Sequence, residues 1–132
     1  KSLTFSQVHY SEQVNCLSTR GLFMRVSDFL ATGGFRPRLL PHYLSDYEFT
    51  IRAQRGGVIP VIDPRLKLWT KRRNAVRCDA NDLLKRLQLL FSRRNPSDPR
   101  AWLWFVLLTS SFRHMPLNLL RVYTRSLVRL IR

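Results

Sequence analysis

GLFMRVSDFLATGGFRPRLLPHYLSDYEFTIRAQRGGVIPVIDPRLKLW, residues 21–69, is the stretch whose reading decides the fold. Gly21 to Val26 is an apolar run opened by a glycine and reads as a strand. Ser27 is a capping residue type, so a short helix is predicted over Asp28–Thr32, and Gly33-Gly34 terminates it. Pro37 and Pro41 make Phe35–Tyr43 a loop. Ser45-Asp46-Tyr47-Glu48 has the Ser-x-x-Glu spacing of a capping box and opens a second helix. Within it Tyr47 pairs with Ile51 and Glu48 with Arg52, each four residues apart, and Gly56-Gly57 ends it. Val58–Ile62 reads as a short strand, which Pro60 confines to an edge or a bulge because proline lacks the N–H a central ladder needs. Strand, helix, strand in this order implies an α/β unit.

Upstream, the chain reads as extended, with Val8, Tyr10 and Val14 among polar residues. Beyond about Leu68 the pattern turns helical. Lys71-Arg72-Arg73 is a basic loop, and Asp79 caps a helix with Leu83, Leu84, Leu87, Leu90 and Phe91 on one side. Arg93–Pro99 is a break. Asp98-Pro99 starts another helix, since proline fits the first helical position; it carries Trp102, Trp104 and Phe105. His114-Met115-Pro116 breaks that helix, and a last one runs toward Arg132. There Arg121, Arg125, Arg129 and Arg132 recur at helical spacing, with Leu120, Tyr123, Leu127 and Leu130 on other faces. The organisation is therefore residues 1–70 as one part and 71–132 as a basic amphipathic helical tail.

The 132 residues suffice for one domain with a core, and 45% hydrophobic residues exclude a disordered chain. The formal charge of +15 is one-sided: residues 1–64 hold seven Lys/Arg against five Asp/Glu, and residues 65–132 sixteen against three. The second half thus calls for an anionic partner, whether a phosphate-bearing substrate, nucleic acid or an anionic lipid surface. Cys16 and Cys78 could form one pair; two reduced cytosolic thiols is the favoured reading. Lys1–Tyr10 is mostly polar, unlike a signal peptide, and a first residue of Lys1 fits a fragment or a processed form. The longest apolar run, Ala101–Leu108, falls short of the roughly 20 residues that span a bilayer.

Gly21, Phe23-Met24-Arg25, Phe29, Gly33-Gly34-Phe35, Asp46-Tyr47-Glu48-Phe49, Arg52 and Gly57 together resemble, in order and spacing, the acceptor side of inverting family 2 glycosyltransferases. The resemblance covers about a third of the chain. It implies an α/β fold, the C-terminal half of a GT-A (nucleotide-diphospho-sugar transferase) fold followed by basic amphipathic helices. It also implies transfer of a sugar from a nucleotide-activated donor to an acceptor hydroxyl, in the setting of cell-envelope polysaccharide assembly. Asp46 matches the family's catalytic base. The preceding residue is Ser45, where the family more often has Glu, which removes one negative charge beside the base. The resemblance makes Gly33 and Gly34 the floor of an acceptor pocket near Asp46. Phe35 and Tyr43 would stack on a sugar ring or pack in the core, and His42 would contact acceptor or simply occupy the loop. Lys71, Arg72 and Arg73 would lie near the donor diphosphate or form a solvated loop, and the same choice holds for Arg93-Arg94.

The residues themselves also support plainer roles. An acidic side chain in a first helical turn is favourable with the helix dipole, by about 0.3–1 kcal/mol, and Glu48 is explained by Ser45 and Arg52 alone. His9 and His114 have no ligand spacing with Cys16 or Cys78, so no protein metal site is expected. The family's donor half ends in an Asp-x-Asp-like motif that holds Mg²⁺ or Mn²⁺ on the diphosphate. No such motif occurs here, so the ligands of that divalent cation are not in this chain, the donor half is lacking, and the fragment alone should not turn over.

Trp102, Trp104, Phe105 and the arginine-rich last helix fit an element lying on a membrane surface. With lipid-linked or saccharide acceptors in reach, the enzyme would be cytoplasmic and peripheral at the inner face of the membrane. Packing on the core with arginines in water is the plain alternative. A sequence pI of about 11.5 also admits a nucleic-acid-binding module, but no helix-turn-helix, zinc-finger, RNP-type or KH-type pattern is present and no nucleic acid is expected. A non-catalytic fragment of a degenerate transferase is the third reading, kept open by Ser45.

Overall fold

The computed structural model describes residues 14–63, 65–69, 83–92 and 95–131. Among them are α1 (Val26–Ala31), α2 (Ser45–Arg55), α3 (Leu83–Leu90), α4 (Pro99–Thr109), a 3-10 turn (Phe112–His114) and α5 (Met115–Ile131). No strand occurs among the described residues. This overturns the α/β expectation: the described residues do not form an α/β GT-A half. Val26, expected to end a strand, begins α1, and Gly21–Arg25 and Val58–Ile62 are irregular. A β-propensity records fit to a pleated, half-buried surface, and no neighbouring ladder supplies that surface here. Val14 N–H donates to the Pro60 carbonyl at 3.4 Å, one long bond rather than a ladder. Consequently Phe23, Ile59, Val61, Leu66, Leu68 and Trp69 are exposed, Phe23 by 75% and Trp69 by 89%.

The glycine stops form as read. At the end of α1, Gly33 N–H reaches the Leu30 carbonyl (2.9 Å) and Gly34 N–H the Phe29 carbonyl (3.1 Å). Both glycines hold left-handed φ of 82° and 62°, the paired bonds of a Schellman stop. At the end of α2, Gly57 N–H and Val58 N–H repeat the pattern on Gln54 and Ala53.

The N-caps predicted at Ser27 and Ser45 do not form. Ser27 lies inside α1, after Arg25 as N-cap, and Ser45 is already helical, after Leu44. Leu44 adopts φ 68°, a left-handed conformation costing about 1–2 kcal/mol for a side-chain-bearing residue. Its side chain is 6% exposed, in a core with Leu40, Ala101 and Phe105. Burying a leucine is worth about 1.5–3 kcal/mol, which offsets that strain and outranks a serine cap.

Asp98 does cap α4, accepting from Arg100 N–H at 3.0 Å, with Pro99 next. The break comes at Ser110, and Pro116 sits in the first turn of α5 for the same reason. α4 packs between α2 and α5. The core joins Leu40 and Leu44 to Ala101 and Phe105, and Arg55 donates to the Leu108 and Thr109 carbonyls at the end of α4. α4, beyond residue 70, therefore shares a core with the residues before it. Phe105, assigned above to a membrane surface, is 1% exposed and belongs to that core. The expected features at residues 1–13, Lys71-Arg72-Arg73, Cys78, Asp79 and Arg93-Arg94 lie outside the described residues.

Phe105→Ala should lower stability by about 3–5 kcal/mol, whereas Trp104→Ala, at a side chain 41% exposed, should cost far less. Urea unfolding of the two variants checks this; equal losses would mean that α4 is not anchored through Phe105.

Candidate functional site

α2 is the platform of the site. At roughly 100° per residue, Asp46 and Thr50 lie on one side of it and Glu48 and Arg52 on nearly the opposite side. Glu48 is 2% exposed, and a carboxylate that deep in the protein requires a counter-charge. Arg52 supplies it with two bonds, Nε to Oε1 at 2.8 Å and Nη2 to Oε2 at 3.1 Å. The same guanidinium donates to the carbonyls of Thr32 and, at 2.7 Å, Gly34. Arg36 adds a longer contact of 3.6 Å to Glu48. Beside this pair the rings of Phe29, Phe35 and Phe49 pack with centroids 4.8–5.6 Å apart. A Cβ at Gly34 would stand 3.3 Å from the Phe29 ring. The Gly33-Gly34-Phe35 turn is thus fastened to the Glu48/Arg52 side of α2.

Asp46 faces elsewhere. Its Oδ2 accepts from Thr19 N–H at 3.2 Å and its Oδ1 from Tyr47 N–H at 3.0 Å. Buried Thr50 stabilises the same side: its hydroxyl accepts from Leu17 N–H at 3.1 Å and lies 2.9 Å from the Asp46 carbonyl. Cys16 is a free, half-buried thiol. Burial, and then the Asp46 carboxylate, push its pKa upward. Tyr47 is raised in the same way by burial, then Asp46, then Cys16, with Arg20 opposing. Cys16, Arg20, Asp46 and Tyr47 therefore share one electrostatic neighbourhood. Nothing in the sequence pattern pointed to Cys16 or Arg20, because Cys16 reaches Asp46, and Arg20 reaches Tyr47, only through the fold. The carboxylate is oriented by two backbone donors and keeps lone pairs for a third, so it can accept a proton from a bound hydroxyl.

His42 and Tyr43 are exposed in the loop leading into α2. A cavity of about 490 Å³ opens between Leu17–Arg25 and Val58–Leu68, with Arg20, Arg25, Asp28 and Asp63 on its walls. Asp46 does not line it, but Arg20 does. Arg20 thus faces both the cavity and the field of Tyr47. Among the described residues no cluster of three or more His, Cys, Asp or Glu side chains could hold a metal.

In a Cys78→Ser background, alkylation of Cys16 should have a pH midpoint above the ordinary 9.0. Asp46→Asn should lower that midpoint while leaving it above 9.0, since burial is the larger cause. The raised thiol pKa also means that its contribution to stability is present below the ordinary value and lost as pH rises through the folded value. Denaturation midpoints should therefore fall above about pH 9. A midpoint indifferent to Asp46→Asn would show that the carboxylate does not face Cys16.

Comparison with known protein families, characterised proteins and solved structures finds no match for this chain.

Proposed function

We propose that this chain supplies the acceptor-side chemistry of an inverting glycosyltransferase, with Asp46 as general base. The observation that carries the reading is the setting of Asp46: the first turn of α2, half-buried, held by Thr19 and Tyr47 N–H. The family 2 resemblance of residues 21–69 supplies the reaction class. The acceptor oxygen attacks the anomeric carbon, the bond to the nucleotide diphosphate breaks, and the hydroxyl proton passes to an Asp46 oxygen. One displacement inverts the anomeric centre.

Exposed His42 and Tyr43 border the approach to α2 and are the acceptor contacts of this reading, for a saccharide or lipid-linked acceptor. Gly33, Gly34 and Phe35 act through α2, whose orientation they fix. Lys71, Arg72 and Arg73 are the donor-phosphate contacts it assigns, outside the described residues. The described side chains do not fit the Mg²⁺ or Mn²⁺ that nucleotide-sugar donors carry, so in this reading the chain acts on the acceptor and its proton. No described helix is long and apolar enough to cross a membrane; the reading places the enzyme peripherally at the cytoplasmic face.

In the complete enzyme, Asp46→Asn should lower single-turnover transfer by about 10²–10⁴-fold with donor binding close to wild type. Stability should fall by about 1–3 kcal/mol, because the amide has one acceptor oxygen for two backbone donors and no charge for the helix dipole. Transfer above about a tenth of the wild-type rate, well inside the loss expected for a general base, would make Asp46 only a helix N-terminal charge.

A further inference from the structure

α5 departs from an ordinary surface helix on its outer face. A surface helix turns its apolar stripe to the core and its polar face to water. Here the most buried side chains are polar: Asn118, 1% exposed and bonded to the Ser110 hydroxyl at 3.0 Å, and Ser126. Leu119 and Val122 are half-buried between them. At roughly 100° per residue, Leu117, Leu120, Tyr123, Leu127 and Val128 fall in one arc opposite Asn118 and Ser126. All five are exposed, Leu120 by 62% and Leu127 by 58%. Nothing in the described fold covers them. Arg121 and Arg125 are exposed along one flank of this arc, and the sequence of α5 contains no acidic residue. Phe112, 88% exposed, and exposed Arg113 precede the helix.

We propose that this outer face of α5 docks onto an anionic bilayer surface, its leucines entering the headgroup–acyl boundary while Arg121 and Arg125 meet lipid phosphates. Charge complementarity selects the occupant. Flexible arginine stems lie along apolar surface and keep the guanidinium at the polar level, and the planar fork suits phosphate oxygens. The exposed arc offers no directed polar pattern of the kind that would specify one protein partner; it offers apolar area edged by cations, the composition of an interfacial helix. Its 17 residues extend roughly 25 Å at 1.5 Å per residue, a length suited to lying in the interface plane. The inference rests on the peripheral location proposed above and is independent of the chemistry assigned to Asp46.

The test is co-sedimentation of the full chain with vesicles of phosphatidylglycerol and phosphatidylcholine against pure phosphatidylcholine, at physiological salt. Wild type should sediment with the anionic vesicles. Leu120→Gln/Leu127→Gln and Arg121→Glu/Arg125→Glu should each weaken that partition by about tenfold or more, as expected for surface cations and buried alkyl groups. Arg38→Glu/Lys67→Glu carries the same change in net charge away from α5 and should weaken it much less. Circular dichroism establishes that each variant keeps its helices. If wild type ignores anionic vesicles, the peripheral location fails and this face with it. If wild type binds but the α5 variants bind equally well, the location stands and the assignment of α5 is wrong. Concentration-dependent dimers that the leucine variant abolishes, without vesicle binding, would instead make a second copy the occupant and overturn the proposal.

Discussion

A carboxylate that is 2% exposed cannot stay charged without compensation, and Glu48 sets that demand in the first turn of α2. Arg52 meets it one helical turn later and has donors to spare, which it spends on the carbonyls of Thr32 and Gly34. One ion pair thereby fastens the end of α1 to the middle of α2. With Arg52 so held, Phe49 packs against Phe29 and Phe35, and the opposite side of α2 is left to present Asp46 and Thr50 to residues 17–19. The orientation of Asp46 thus depends on residues that never approach it.

Features written into a few consecutive residues were legible. The glycine stops need only left-handed φ at Gly33, Gly34 and Gly57, and Asp98-Pro99 needs only a cap and a fixed φ. The Glu48–Arg52 pair follows from helical spacing. What failed depended on distant chain. The Ser45 capping box yields to Leu44, whose burial is decided by Ala101 and Phe105, more than fifty residues away. The strands at Gly21–Val26 and Val58–Ile62 needed a neighbouring ladder that local pattern does not report. Of the site, Asp46 could be placed in a first helical turn, but its neighbours Thr19 and Cys16 could not. Phe105, read as an interfacial aromatic, turns inward because α4 buries the side that meets Leu40 and Leu44.

In the proposed reading, the two ends of the described chain divide the work. Around α2, a half-buried carboxylate with two fixed hydrogen bonds is suited to taking a proton. Along α5, leucine faces outward and arginine flanks it, which suits a lipid surface rather than a reaction. α4 ties the two together through Phe105 and through the Arg55 bonds to its last carbonyls. A peripheral enzyme built this way would hold its acceptor chemistry at a fixed height above the bilayer.

The central claim is a single displacement at the anomeric carbon, assisted by one carboxylate. Proton NMR of the first product formed by the complete enzyme, read before any anomeric equilibration, tests it most directly. The account predicts an anomeric configuration opposite to that of the nucleotide-sugar donor. A product with the donor's configuration, or no sugar transfer at all, would contradict it.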